Sequence, residues 1–200
     1  MRKIAFLDAN VLAKPFTRTL IVVGAADPDA DYGFTWSRHA EAEGNRHLRA
    51  GAKRLETFRT ERGVELSRSG TVTDQAEDSD PKDWQILADA AAATARWIVT
   101  ENVQDFGWAD LRRAGLDAIH YDLFLAEHLS TEAYRDALEI LSYGRVPAEQ
   151  IHANVALLHP RLFASMAACF PGVAPTRSDH RPPKEVFRSG HASPCCDALG

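Results

Sequence analysis

Four carboxylates, Asp8, Glu43, Asp83 and Asp105, stand where an ordinary fold has no need of charge. Asp8 ends the apolar run Lys3–Leu7, and open α/β folds gather their binding groups just past the carboxyl ends of parallel strands. Asp8-Ala9-Asn10 is equally the form of an Asx turn. Glu43 falls on a stripe with Ala40, His47, Leu48, Leu55 and Phe58 at three- and four-residue spacing, and Glu41 falls off it. An unpaired acid on that stripe is costly to bury, unless Arg38 or His47 pairs with it or the helix is rotated. Asp83 lies in the first turn of a helix, where Asp80-Pro81-Lys82-Asp83 is also a capping arrangement. Asp105 closes Thr100-Glu101-Asn102-Val103-Gln104-Asp105, and either joins a site or begins the next helix.

Taken jointly, Asp8, Asp83, Asp105, Thr100 and Asn102 map to strand ends or helix starts at one edge of a sheet, with Glu43 directed inward from a helix above it. Carboxylates gathered in one cleft repel one another, and a hard divalent cation is the usual remedy. Mg2+ and Mn2+ take oxygen ligands and keep waters. Such an ion acidifies a water, orients a phosphodiester and stabilises the charge of in-line displacement without a nucleophilic side chain. The expected chemistry is metal-dependent phosphodiester hydrolysis.

The elements that must position these residues follow from periodicity. Short apolar strands are expected at Lys3–Leu7, Trp97–Thr100 and 118–121. A helix bent near Pro15 follows the first of them, then a loop over 27–33, a long helix from the N-cap Ser37 through Phe58, and an exposed acidic connection over 70–82 around a short strand. A helix after Pro81 carries Ile86, Leu87, Ala90, Ala91 and Thr94 on one stripe, and Trp108–Ala114 forms a helix closed by Gly115. The alternation predicts an α/β sandwich with a mainly parallel sheet. Beyond it, helices are expected at 123–128, 132–141, 147–158 and 162–170. Five of the ten prolines fall after residue 170, where a disordered tail is expected.

Composition removes several alternatives. The 200 residues are 45% hydrophobic and 26% charged, the range of a globular chain. No apolar run approaches the ~18 residues of a membrane span, and the early Asp8 leaves no room for a signal sequence, so a cytoplasmic protein is expected. Cys169, Cys195 and Cys196 fit neither a disulfide scaffold nor zinc spacing. The net charge of −5 argues against nucleic acid, yet Arg38, Arg46, Arg49, Lys53, Arg54, Arg59, Arg62 and Arg68 outnumber the acids among them. They either meet phosphate or simply solvate a helix.

The sequence resembles the PIN-domain family of nucleases. Phe6-Leu7-Asp8-Ala9-Asn10-Val11-Leu12 is similar to its opening motif, and Trp36-Ser37 with Glu43, Asn45 and Leu48 to its second acidic helix. Asp83-Trp84-Gln85-Ile86-Leu87-Ala88-Asp89-Ala90 resembles its third motif. Ile98-Val99-Thr100-Glu101-Asn102-Val103-Gln104-Asp105-Phe106 resembles its fourth, and Tyr121-Asp122-Leu123-Phe124-Leu125 its closing segment. Asp89, at a position usually small, and Glu101, where an apolar residue is frequent, depart from the pattern. The resemblance implies a three-layer α/β/α sandwich at 1–128, a helical extension at 129–170 and a tail at 171–200. It implies a Mg2+ site, with Mn2+ as substitute, made by Asp8, Glu43, Asp83 and Asp105 and shaped by Asn10, Thr100 and Asn102. Many relatives of this kind are VapC-like toxins: dimeric endoribonucleases held by a cognate antitoxin. An RNA-processing nuclease and a decayed RNA-binding module are the alternatives. A haloacid dehalogenase would need Asp at position 10, where Asn stands, and a dinucleotide enzyme a glycine-rich first turn.

Overall fold

The computed structural model describes residues 2–72 and 78–176. The outer parts of the acidic connection are coil, with no strand at 70–72 or 78–82, and Asp74 and Glu77 lie outside the described residues. So does the tail from 177 onward.

The chain is an α/β protein with a four-stranded, entirely parallel sheet in the order β2-β1-β3-β4. It runs β1 (Lys3–Leu7), α1 (Ala9–Leu12), α2 (Pro15–Ala26), β2 (Tyr32–Thr35), α3 (Arg38–Arg46), α4 (Leu55–Arg62), α5 (Trp84–Ala92), β3 (Trp97–Thr100), α6 (Trp108–Ala114), β4 (Asp117–His120) and α7 (Tyr121–His128). Pro15 separates α1 from α2 as expected, since proline starts a helix more readily than it continues one. Every residue of β3 and β4 is buried, and alternate side chains point to opposite faces, so helices cover both faces of these strands.

Two expectations need correction. Tyr32–Thr35 is a strand, β2, inside and just beyond the stretch read as loop. Only Tyr32 is fully enclosed; the other three residues are half-buried, as on an edge strand, and the signal is correspondingly weak. The long helix from Ser37 is two helices, α3 and α4, separated by residues 47–54. Ser37 does cap α3, accepting from the Ala40 N–H at 3.2 Å. Gly44 lets α3 press onto α1: a Cβ there would sit 2.8 Å from Leu55 Cδ1 and 3.2 Å from the Ala9 carbonyl oxygen.

The extension comprises α8 (Thr131–Ser142), α9 (Ala148–Leu158) and α10 (Pro160–Ser165), ending in a 3-10 turn at Ala167–Cys169. It is sewn into the core. The α8 helix packs along α2, and α10 packs on α7. Buried Asp122 caps α10 across space, accepting from the Arg161 and Leu162 N–H groups at 3.0 and 3.1 Å. The ring of His159, fully enclosed, lies 3.1 Å from the Thr17 hydroxyl through Nε2. Tyr134 Oη meets His152 Nδ1 at 2.7 Å. Among the described residues no helix is long and apolar enough to cross a membrane.

Candidate functional site: an acidic cleft at the switch point of the sheet

The chain leaves β1 toward β2 on one side and later fills β3 on the other, so the sheet has its topological switch between β1 and β3. Ligands in open α/β sheets bind there, outside the carboxyl ends of the strands. Asp8, which follows β1, lines a cavity of about 770 Å3, and Thr100, which ends β3, hydrogen-bonds to Asp8.

Asp8 is buried and tightly held. Its Oδ1 accepts from the Ala9 N–H at 2.6 Å, and Oδ2 accepts from the Thr100 hydroxyl at 2.7 Å and from Asn10 Nδ2 at 2.8 Å. Thr100 in turn accepts from Asn10 Nδ2 at 3.1 Å and from the Asn102 N–H at 3.0 Å, while Asn10 Oδ1 accepts from the Glu101 N–H at 3.1 Å. The Asx turn and the sheet-edge site are therefore one arrangement. Asp8 caps α1 and still lines the cavity.

Glu43 and Asp83 line the same cavity. Asp83 belongs to the 3-10 turn Pro81–Asp83 that leads into α5, which Asp80 caps by accepting from the Lys82 N–H at 3.1 Å. Asp105 ends a second short turn, Val103–Asp105, whose carbonyl oxygen accepts from the Asp80 N–H at 2.8 Å. This pins the two turns together. Lys82 spans them: its Nζ lies 3.1 Å from Asp80, 3.2 Å from Asp105 and 3.9 Å from Asp83. The surrounding carboxylates hold the ammonium firmly charged. Nothing in residue type or spacing marked Lys82 in advance except its place between Asp80 and Asp83.

Burial pushes the Asp8 carboxyl up to about 6 despite the Thr100 and Ala9 hydrogen bonds, and Glu43 and Asp105 add repulsion. Burial also drives Asp83 up to about 7, with the negative charge of Asp8 next in weight and Lys82 opposing. One oxygen of Asp83, Oδ2, is enclosed without a hydrogen-bond partner. The acids thus repel one another across the cleft and are incompletely compensated. They have not converged: among the described residues no three His, Cys, Asp or Glu groups stand close enough to hold a metal ion. An all-oxygen donor set with one unsatisfied buried oxygen nevertheless fits a hard cation by its chemistry.

Glu43 differs from its expected setting. It is half-exposed, with His39 Nε2 at 3.6 Å as partner in place of Arg38 or His47. Glu41 is the buried acid of α3, accepting from Trp36 Nε1 at 3.1 Å and Arg59 Nε at 2.8 Å, which ties α3 to α4. Asp89 and Glu101 also find structural partners. Asp89 accepts from the Gly70 N–H and from Gln85 Nε2, each at 2.7 Å, and Glu101 pairs with Lys14 at 3.0 Å. Of the basic stretch, Lys53, Arg54 and Arg59 are engaged with Glu61, Glu56 and Glu41. Arg49 and His47 instead face the cavity, joined there by Lys14 and Lys82.

Comparison with protein-family models, curated proteins and solved structures finds no match.

Proposed function

We propose that this protein is a PIN-type nuclease: a three-layer α/β/α sandwich with a helical extension that hydrolyses RNA phosphodiester bonds with Mg2+, or Mn2+ in its place. We propose further that it acts in the cytoplasm as a homodimer, the toxin of a toxin–antitoxin pair, restrained by a cognate antitoxin. The observation that carries the nuclease reading is that Asp8, Glu43 and Asp83 line one cavity at the sheet's switch point, with Asp105 electrostatically coupled to Asp8 and Asp83. The burial of β3 and β4 on both faces supports the three-layer arrangement.

Asp8, Glu43, Asp83 and Asp105 are the residues that would hold the cation. When bound, it compensates their charge and polarises the phosphodiester. Thr100 and Asn10 keep the Asp8 carboxylate in one orientation, so little reorganisation is needed. Lys82 draws Asp105 toward the turn that carries Asp83. Arg49 and His47 present positive or donor groups to the strand from the rim.

Incubation of the purified protein with RNA tests this. Cleavage is expected with Mg2+ or Mn2+, none with EDTA, and a loss on the order of 100-fold in Asp8→Asn. Cleavage that persists in EDTA, or full activity in Asp8→Asn, overturns the nuclease mechanism. Growth arrest on expression, relieved by co-expression of a neighbouring gene product, tests the toxin role separately.

A further inference from the structure

The cavity is far larger than a cation needs. About 770 Å3 is the size of a pocket for an organic ligand. Its lining adds to the carboxylates an apolar stretch of wall, Ala13, Pro15, Phe16 and Leu158. Leu158 is the last residue of α9, so the C-terminal extension reaches the cleft. Leu158 is left 54% exposed.

This wall is firmly built. The Phe16 ring lies 5.7 Å from the ring of buried His159, tilted by 36°, and the Tyr121 ring stands 5.2 Å from the same histidine. Lys14, two residues before Phe16, is tethered at the cleft by Glu101 at 3.0 Å and by the face of Tyr121 at 5.8 Å. Arg49 makes no ion pair or side-chain hydrogen bond among the described residues. A tethered cation, Lys14, and the guanidinium of Arg49 beside a partly exposed apolar face match one ligand chemistry: an anionic strand whose phosphates carry flat, stackable rings.

We infer that Phe16 and Leu158 form a base-stacking subsite for an unpaired nucleotide of the strand whose phosphates meet Lys14 and Arg49. The inference rests on the nuclease reading above, and adds that the extension contributes directly to substrate binding. A base held in a duplex has no free face to offer Phe16, so the nucleotide in this subsite is single-stranded.

The test measures binding by fluorescence anisotropy with Asp83→Asn protein in Mg2+, in which cleavage of the probe is slowed on the order of 100-fold. The two probes are a short labelled oligoadenylate and a ribose-phosphate strand of equal length without bases. Oligoadenylate is expected to bind about 10-fold more tightly than the baseless strand. Adding Phe16→Leu, which keeps an apolar side chain, or Leu158→Ser, at an exposed position, is expected to remove most of that preference and to leave the baseless strand's affinity unchanged. An unaltered preference in both variants overturns the subsite, as does an equal loss for both probes. Cleavage by the wild type without any base preference sinks the subsite and spares the nuclease reading. A protein that binds neither probe and cuts no RNA refutes both.

Discussion

The acidic cleft and the seam that binds the extension both enclose titratable groups, and they treat them oppositely. In the cleft, burial chiefly, with repulsion from neighbouring acids added, raises Asp8 to about 6 and Asp83 to about 7, and Asp83 Oδ2 is enclosed without a hydrogen bond. In the seam, burial lowers His120 to about 4 and His159 to about 3, and both side chains are buried. His120 Nδ1 accepts from the Asp122 N–H at 3.2 Å, a bond only the neutral ring can make. Desolvation is the leading cause in each case, and it disfavours whichever form is charged. The seam resolves it by keeping its rings neutral, although His159 Nδ1 is enclosed without a hydrogen bond. The cleft gathers like charges beside open space, so its acids repel one another.

Four substitutions and conditions break or sharpen that contrast. The largest expected effect is on catalysis: Asp83→Asn lowers Mg2+-dependent RNA cleavage on the order of 100-fold, whereas Tyr134→Phe, which removes the bond to His152 in the seam, leaves the rate within a factor of about two at a temperature where both proteins are folded. Comparable losses in both variants would show that the two regions are not separable.

Packing comes next. A methyl at Gly24 of α2 would lie 2.3 Å from Tyr32 Oη and 2.6 Å from Leu129 Cδ1. Gly24→Ala therefore destabilises the fold by about 3 kcal/mol in denaturant titration. A change below experimental error would mean that the contact between α2, β2 and the start of the extension is not built as described.

The third contrast is in pH. Asp8 and Asp83 have folded values above 3.8, so their contribution is complete below about pH 4 and is lost as pH rises toward 6 and 7. His159 has a folded value below 6.5, so its contribution holds above that pH and is lost as pH falls toward 3. Over about pH 4 to 6 the two carboxylates' loss outweighs the one histidine's gain, so metal-free protein should melt at a lower temperature at pH 8 than at pH 5. Mg2+ should raise the alkaline flank alone, and Asp8→Asn should gain on the order of 1–2 kcal/mol there without metal. Equal stabilisation by Mg2+ at pH 5 and pH 8 would argue against a carboxylate site. The smallest effect is Thr17→Val, which strands His159 Nε2 and costs about 1 kcal/mol in the same melts.

Much of this arrangement is legible in the residues. The run Lys3–Leu7 is β1 and ends at Asp8 as its apolar pattern predicts, Trp97–Thr100 is β3, and Trp108–Ala114 is a helix stopped by a left-handed Gly115. Strong local signals of this kind survive folding because each agrees with its surroundings. Weak ones do not. Tyr32–Thr35 contains a glycine, follows Asp-Pro-Asp turn chemistry and is only half covered, so its strand character comes from pairing with β1. The stripe from Ala40 to Phe58 continues in spacing across a turn that interrupts the helix, because the three- and four-residue rhythm persists whether or not the backbone between its members is helical.

The sequence by itself determined the elements whose burial pattern is strong and the acids that end them, because strand termini and helix starts are written in local chemistry. Tertiary structure alone decided which acids meet. Glu41 rather than Glu43 is buried because Trp36 and Arg59 arrive from outside α3 to pair with it. Lys82 enters the cleft because two turns, twenty-odd residues apart, are hydrogen-bonded together through Asp80 and Asp105. Leu158 reaches the cavity because the next residue, His159, meets Thr17 of α2 across 142 residues of sequence. Long-range packing sets these meetings, and no periodicity within a single element encodes it.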